Sequence, residues 1–374
     1  MNVKGTIGKD RRTKDLAKRI KPGEIAVINH LDIDEVAAHS LAEAKISAVL
    51  NFDSSISGRY PNQGPGILLE EGIPLFESKD IEIFDKLEEG KILKILDNGD
   101  MLYEEEVIGR AEYLDRKKIN ERLKIGYNNI ENELDFFIDN TLMYAKKEKD
   151  LVLGNIEIPD IDTDIAGRDV LVLVRGNNYK RDLKAVMNYI DERKPILIGV
   201  DGGGDALLEH GYVPDIVIGD MDSVSDKCLR KSKELIVHGY MDGRAPGMDR
   251  INELDLKAKI FKSYGTSEDI ALLLAYEKEA ELIVALGTHS SMIDFLEKGR
   301  NGMASTFLVR LKVGDKLVDA RGLSKLYKSN FNFKYLIAIF LTAILPIIVI
   351  VLLSKPIRDL IQLLQIKLRL TLGV

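Results

Sequence analysis

Residues Pro195–Asp226 read PILIGVDGGGDALLEHGYVPDIVIGDMDSVSD, two apolar runs that each break on a turn of glycine and aspartate. The runs PILIGV and PDIVIG are rich in Val and Ile, as strands are when a parallel sheet is covered on both faces. Between them DALLEHG gives a short helix that stops at Gly211. The same rhythm recurs in DVLVLVRG (169–176), ELIVHG (234–239) and ELIVALG (281–287), with helical sequence between. That alternation implies a doubly covered α/β sheet, and such sheets bind ligands beyond the carboxyl ends of their strands. All five runs end on, or directly before, Gly or Asp, at those ends.

The chemistry-bearing residues gather there. Asp201 opens the run Gly202-Gly203-Gly204, where glycines let backbone amides approach a phosphate closely; a tight strand-to-helix connection is the competing reading. Asp220 and Asp222 flank one residue, so in an extended segment both carboxylates point the same way. Two hard oxygen donors so placed suit Mg2+, which takes few carboxylates and fills its shell with phosphate oxygens and water. Helix capping by Asp222 or Ser223 is the alternative. Asp269, in Ser267-Glu268-Asp269, is a third candidate acid, with N-capping by Thr266 or Ser267 as its competitor. Arg175 and Gly176, after the first strand of this region, are candidates for phosphate contact. His289 stands in a loop without a companion and reads as a loop polar residue.

Working outward, we divide the chain into an N-terminal α/β unit (1–79), a hairpin and helical connector (80–150), the nucleotide-type domain (151–330) and an anchor with a short amphipathic tail (331–374). The connector holds Asn98-Gly99, a hairpin turn signal. The segment YLIAIFLTAILPIIVIVLLS (335–354) is uncharged and about the length that spans a bilayer, with lysines at its borders. The basic N-terminus lacks an apolar core and does not read as a secretory signal. The expectation is a single-pass protein of the cell membrane with its bulk in the cytoplasm. A net charge of −7 over 374 residues argues against a nucleic-acid coat. One cysteine, Cys228, excludes an intrachain disulfide and any multi-cysteine metal site.

The stretch VDGGGDALLEHGYVPDIVIGDMDSVSD resembles the thiamine pyrophosphokinase signature, in which a DGG turn precedes PD-x-x-x-GD-x-DS; SED resembles that family's TD element. The resemblance implies a Rossmann-like domain that binds ATP (or another nucleotide) with Mg2+. By it, Asp220, Asp222 and Asp269 are the metal-binding and catalytic residues, and Asp201, Gly202, Gly203 and Ser223 hold the nucleotide, to which the strand-end positions of Gly219 and Arg175 add two further candidate contacts. It also implies a pyrophosphoryl transfer from ATP to a hydroxyl. The pattern departs at GG-R-x-DH, where Met292 and Phe295 stand for arginine and histidine while Asp294 is kept, and the family's β-sandwich has no room after Lys312. Across the chain, DRRTKDLAKRIKPGEIAVINHLDID (10–34), SSISGRYPNQGP (54–65) and GMASTFLVRLKVGDKLVDARGLSKLY (302–327) resemble the SteA family of bacterial septation proteins. The N-terminal unit also resembles a swivelling phosphohistidine domain, but SSISGRYPNQGP contains no histidine. The expectation is a membrane-anchored nucleotide-binding regulator of division with a division-associated partner protein, the active pyrophosphokinase being the alternative and a homodimer left open.

Overall fold

Two runs of short apolar strands build two separate sheets, seen in a computed structural model that describes residues 2–154, 156–176, 178–289, 291–297, 299–300, 302–320 and 333–372. The chain divides into two compact units, Met1–Ser324 and Lys325–Val374. The first unit holds both sheets.

The N-terminal lobe has strands β1 (Val3–Lys9), β2 (Ile25–Ile28), β3 (Ala48–Asn51), β4 (Leu75–Glu77), β5 (Ile92–Ile95), β6 (Asp100–Tyr103), β7 (Glu106–Arg110) and β8 (Glu112–Tyr113). They pair in the order β7-β6-β5-β1-β2-β3-β4-β8. The run β1-β2-β3-β4 is parallel, and β5 to β7 are antiparallel additions to one side of it. Only Ala111 separates β7 from β8, although they lie at opposite ends of this order. One residue spans a few ångströms, so the sheet must curl until its edges meet. Val3, Ile7, Val27, Leu50, Phe52, Phe76, Phe84 and Met101 fill the inside of that curl. The expected hairpin forms at Asn98-Gly99, with φ of 87° at Gly99, and its strands pair into the N-terminal sheet through β1 and β5.

The second sheet comprises β9 (Asp169–Leu173), β10 (Ile196–Val200), β11 (Ile216–Gly219), β12 (Glu234–Gly239), β13 (Lys259–Lys262), β14 (Leu282–Leu286) and β15 (Leu317–Asp319). All its pairs are parallel, in the order β13-β12-β11-β10-β9-β14-β15. The five apolar runs read from the sequence are its five inner strands. The two edge strands escaped that reading because they are largely exposed: only Phe261 of β13 is fully buried, and no residue of β15 is. Helices cover both faces, and Ile270–Ala275 of the helix Ser267–Glu277 are buried against one of them.

A 32-residue helix, Arg116–Lys147, joins the lobes. Arg122 grips the buried Glu77 with both carboxylate oxygens at 2.8 and 2.7 Å. Stripping one partner from such a pair costs on the order of 3–5 kcal/mol, so this contact fixes the helix on the N-terminal lobe. Farther along, Phe137 packs on Phe295 with ring centroids 6.1 Å apart, in a cluster that also holds Tyr60.

The second unit consists of the helices Phe333–Leu353, with Pro346 inside it, and Lys355–Leu372. Among the described residues no single helix is long and apolar enough to cross a membrane. The pair Phe340–Ile350 and Lys355–Leu370 meets that test together, bent by 93°. Two of the lysines expected at the borders of the span, Lys325 and Lys328, lie outside the described residues.

Candidate functional site

Parallel register sets β10 beside β11, pairing Val200 with Ile218, so the turns that follow the two strands emerge side by side. Three carboxylates result. Asp201 accepts the Asp220 backbone N–H on Oδ1 at 2.9 Å, and Asp220 Oδ1 accepts the Asp222 N–H at 3.2 Å. Ser223 donates its hydroxyl to Asp222. The backbone is strained here: Asp201 and Met221 adopt φ of 47° and 65°. Left-handed non-glycine residues cost about 1–3 kcal/mol each and persist where the surroundings hold them. Met221 is fully buried, and Arg250 donates to its carbonyl. Gly219 has φ of 151°, and a Cβ there would lie 1.9 Å from Asp201 Oδ1. No side chain is tolerated between the first carboxylate and the next turn.

The electrostatics follow from this crowding. Burial, then the charge of Asp220, pushes Asp201 up to about 7. Burial and the neighbouring Asp222 raise Asp220 as well. Asp222 is also partly buried, but hydrogen bonds from Ser223 and the Asp220 turn, with Lys14 close by, hold it down to about 2. The group therefore keeps one firm negative charge and two carboxylates that resist ionising beside it.

The remaining candidates divide. Gly203 is needed for packing, since a Cβ would stand 2.0 Å from the Leu173 carbonyl oxygen of β9. Gly202 lies against Arg175, whose Cδ would be 2.9 Å from its Cβ, so the guanidinium stem rests on the DGG turn while Arg175 pairs with Glu209 at 3.3 Å. Asp269 is set apart from the trio. It is fully buried, forms a capping box with Thr266, and accepts the Ser305 hydroxyl at 2.7 Å. Its Oδ1 has no hydrogen-bond partner, and burial raises its carboxyl. Asp294 likewise caps its own short helix through Ser291. Phe295, where the resembling enzymes carry histidine, is a buried plug against Phe137 and Tyr60.

Two features escaped the sequence reading. Lys14, from the N-terminal lobe, reaches Asp222 at 3.2 Å and the Ser223 hydroxyl at 3.4 Å. Its only signal in sequence was a basic cluster, DRRTK, with nothing to link it to a turn 208 residues away. His289 does have a companion: its Nδ1 lies 3.1 Å from Oε2 of the buried Glu268, and Arg310 approaches Glu268 at 3.9 Å.

Mg2+ fits the donors present. Asp220 and Asp222 offer hard oxygens on an exposed turn, in a cluster whose like charges a divalent cation would neutralise. Among the described residues no group of three His, Cys, Asp or Glu is arranged to hold a metal.

Residues 321–372 match the family model of the SteA-like C-terminal domain. The chain is 25% identical over 191 residues to a 6-hydroxymethyl-7,8-dihydropterin pyrophosphokinase of Methanocaldococcus jannaschii, covering 44% of this chain and 77% of that protein. The protein of the same name from Pyrococcus furiosus is 28% identical over 183 residues, 45% of this chain and 76% of its own. Among solved structures, thiamine pyrophosphokinase of Bacillus subtilis matches with a TM-score of 0.25 and 23% identity, over 41% of this chain and 60% of that one. A 3-isopropylmalate dehydratase structure from M. jannaschii matches with a TM-score of 0.22 and 16% identity, over 39% of this chain and 99% of its own.

A raised carboxyl carries a stability signature. Asp201 contributes stability that is fully present below about pH 4 and is lost as pH rises through about 7. With chelator present, the melting temperature of the wild-type chain should fall between pH 5 and pH 8 by more than that of Asp201→Asn, whose amide still accepts the Asp220 N–H. Parallel curves would show that Asp201 is not held protonated by its neighbours.

Proposed function

For a chain that fits the SteA family and carries a pyrophosphokinase-like domain, we propose a membrane-anchored, Mg2+-dependent nucleotide-binding protein that acts as a regulator in bacterial cell division. The observation that carries the nucleotide reading is the carboxylate trio built across two adjacent strand ends, with strained backbone at Asp201 and Met221. ATP is the nucleotide the resemblance favours. In this reading Asp220 and Asp222 hold the cation, which neutralises phosphate charge. Asp201 sets the position of the Asp220 turn through its N–H bond, and Arg175 faces the phosphates from the first strand. Asp269 acts at a distance by fixing the start of its helix.

Turnover is the second reading, favoured by the two relatives that are pyrophosphokinases by name. The acceptor side argues for the first. Phosphoryl-type transfer depends on placing the attacking hydroxyl in line, and a misplacement of about an ångström costs on the order of a hundredfold. Where a polar residue would meet the acceptor, Phe295 is turned into an aromatic cluster. Incubating the chain with ATP, Mg2+ and thiamine or a hydroxymethylpterin should give no AMP. Steady AMP release near one per second, ordinary for an enzyme, would establish the transferase instead.

Asp220→Asn with Asp222→Asn should weaken Mg2+-ATP binding at least about a hundredfold by calorimetry, since two charged ligand contacts of about 1.5–3 kcal/mol are lost. Far-ultraviolet circular dichroism should be unchanged, because shape is kept. Unaltered affinity would place the nucleotide elsewhere. Anchoring rests on the apolar helix Phe333–Leu353 and the amphipathic one after it. The full chain should sediment with membranes through a carbonate wash, and deletion of 333–372 should release it; a deleted chain that still sediments would refute that anchor.

A further inference from the structure

The N-terminal lobe reaches the second lobe's ligand edge with the loops that follow its own parallel strands. Lys14 lies just beyond β1 and meets Asp222 and Ser223, beyond β11. Tyr60, in the loop after β3, joins the cluster of Phe295 beyond β14. The carboxyl-end loops of two α/β sheets are thus apposed, and the trio sits between them. In each sheet these loops are where ligands are bound.

Lys14 stands out in that arrangement. Among the described residues it is the cation paired with the trio, and it comes from the other lobe. Its pair with Asp222 is half exposed, at 52% and 46%, and an exposed pair of that kind contributes little stability. Holding the lobes together is therefore a poor explanation for it; the cluster of Tyr60, Phe137 and Phe295 does that work. A lysine ammonium is a point charge on a flexible stem, able to swing over several ångströms and well suited to phosphate. A polyphosphate held through a cation on Asp220 and Asp222 brings more negative charge than the cation removes. Arg175 supplies positive charge from the β9 side; on the β11 side Arg250 is engaged with the Met221 carbonyl and Asp226, so among the described residues Lys14 is the cation that pairs with the trio itself.

We propose that Lys14 is a phosphate-binding residue of the nucleotide site, contributed across the lobe interface, so that the N-terminal lobe forms one wall of that site. In the structure its ammonium rests on Asp222 and Ser223; with a nucleotide bound it turns to the polyphosphate. The inference rests on the nucleotide reading above, and it assigns a function to the N-terminal lobe that the pyrophosphokinase-like domain alone does not have.

The test uses the full chain in detergent with Lys14→Met, which keeps the stem and removes the charge, and Lys14→Arg. Calorimetry is run with ATP, ADP and adenosine in Mg2+, at two salt concentrations. The expected result is an affinity loss of at least about tenfold for ATP in Lys14→Met, the weight of one charge-assisted contact. Adenosine binding should be unchanged, the salt dependence of ATP binding weaker, and Lys14→Arg should recover most of the affinity. The melting temperature without ligand should stay within about a degree of wild type. If wild type binds ATP and Lys14→Met binds it equally well, Lys14 is a surface ion pair only and the inference fails. Tighter binding in Lys14→Met would overturn it too, making Lys14 a competitor of the cation. Failure of wild type to bind any nucleotide would instead overturn the nucleotide reading, which separates the two cases.

Discussion

The hydrogen bond from the Asp220 N–H to the Asp201 carboxylate is the constraint on which the rest depends. It ties the turn after β10 to the turn after β11, and it exists only because Gly219 leaves no side chain between them. Everything acidic at this edge follows from it. The bond fixes where the Asp220–Ser223 turn stands, places two more carboxylates beside the first, and makes their ionisation mutually costly. Close like charges of this kind are costly unless a cation neutralises them, and the strain at Asp201 and Met221 adds to that cost. Stored cost of that sort is characteristic of sites that a ligand relieves.

Much of this was legible in the sequence, and for definite reasons. The five inner strands of the second sheet are apolar on both faces, so each announced itself as an unbroken Val/Ile run, and the acids at their ends marked the ligand edge. The hairpin at Asn98-Gly99 was equally plain, because its turn needs a residue with positive φ. What the sequence concealed was long-range. The closing of the N-terminal sheet depends on Ala111 joining strands from opposite edges, and no local pattern reveals it. The edge strands β13 and β15 lacked a signal because one or both of their faces meet water. Lys14 and Asp222 meet only after both lobes are folded and docked.

Asp269 illustrates the other way in which a motif misleads. The run TSED fits both a metal-binding acid and a helix cap, and the sequence weighs them evenly. In the fold the carboxylate is wholly buried and spends Oδ2 on Thr266 and Ser305. It therefore shapes the edge on which the trio stands. Phe295 shows the reverse case. Its departure from the resembling motif has a positive structural cause, since it plugs the seam where the long helix, the N-terminal loop and the second lobe converge. The side chain at this position is given to docking the lobes.

The central claim is that Asp220 and Asp222 hold the cation of a bound nucleotide. Crystals of the full chain grown with Mn2+ in place of Mg2+ and a non-hydrolysable ATP analogue would test it by anomalous scattering at the manganese edge. The account requires one strong peak at about 2.1 Å from carboxylate oxygens of both residues, with phosphate oxygens completing the shell. A peak elsewhere, or nucleotide density with no metal beside these two carboxylates, would contradict it.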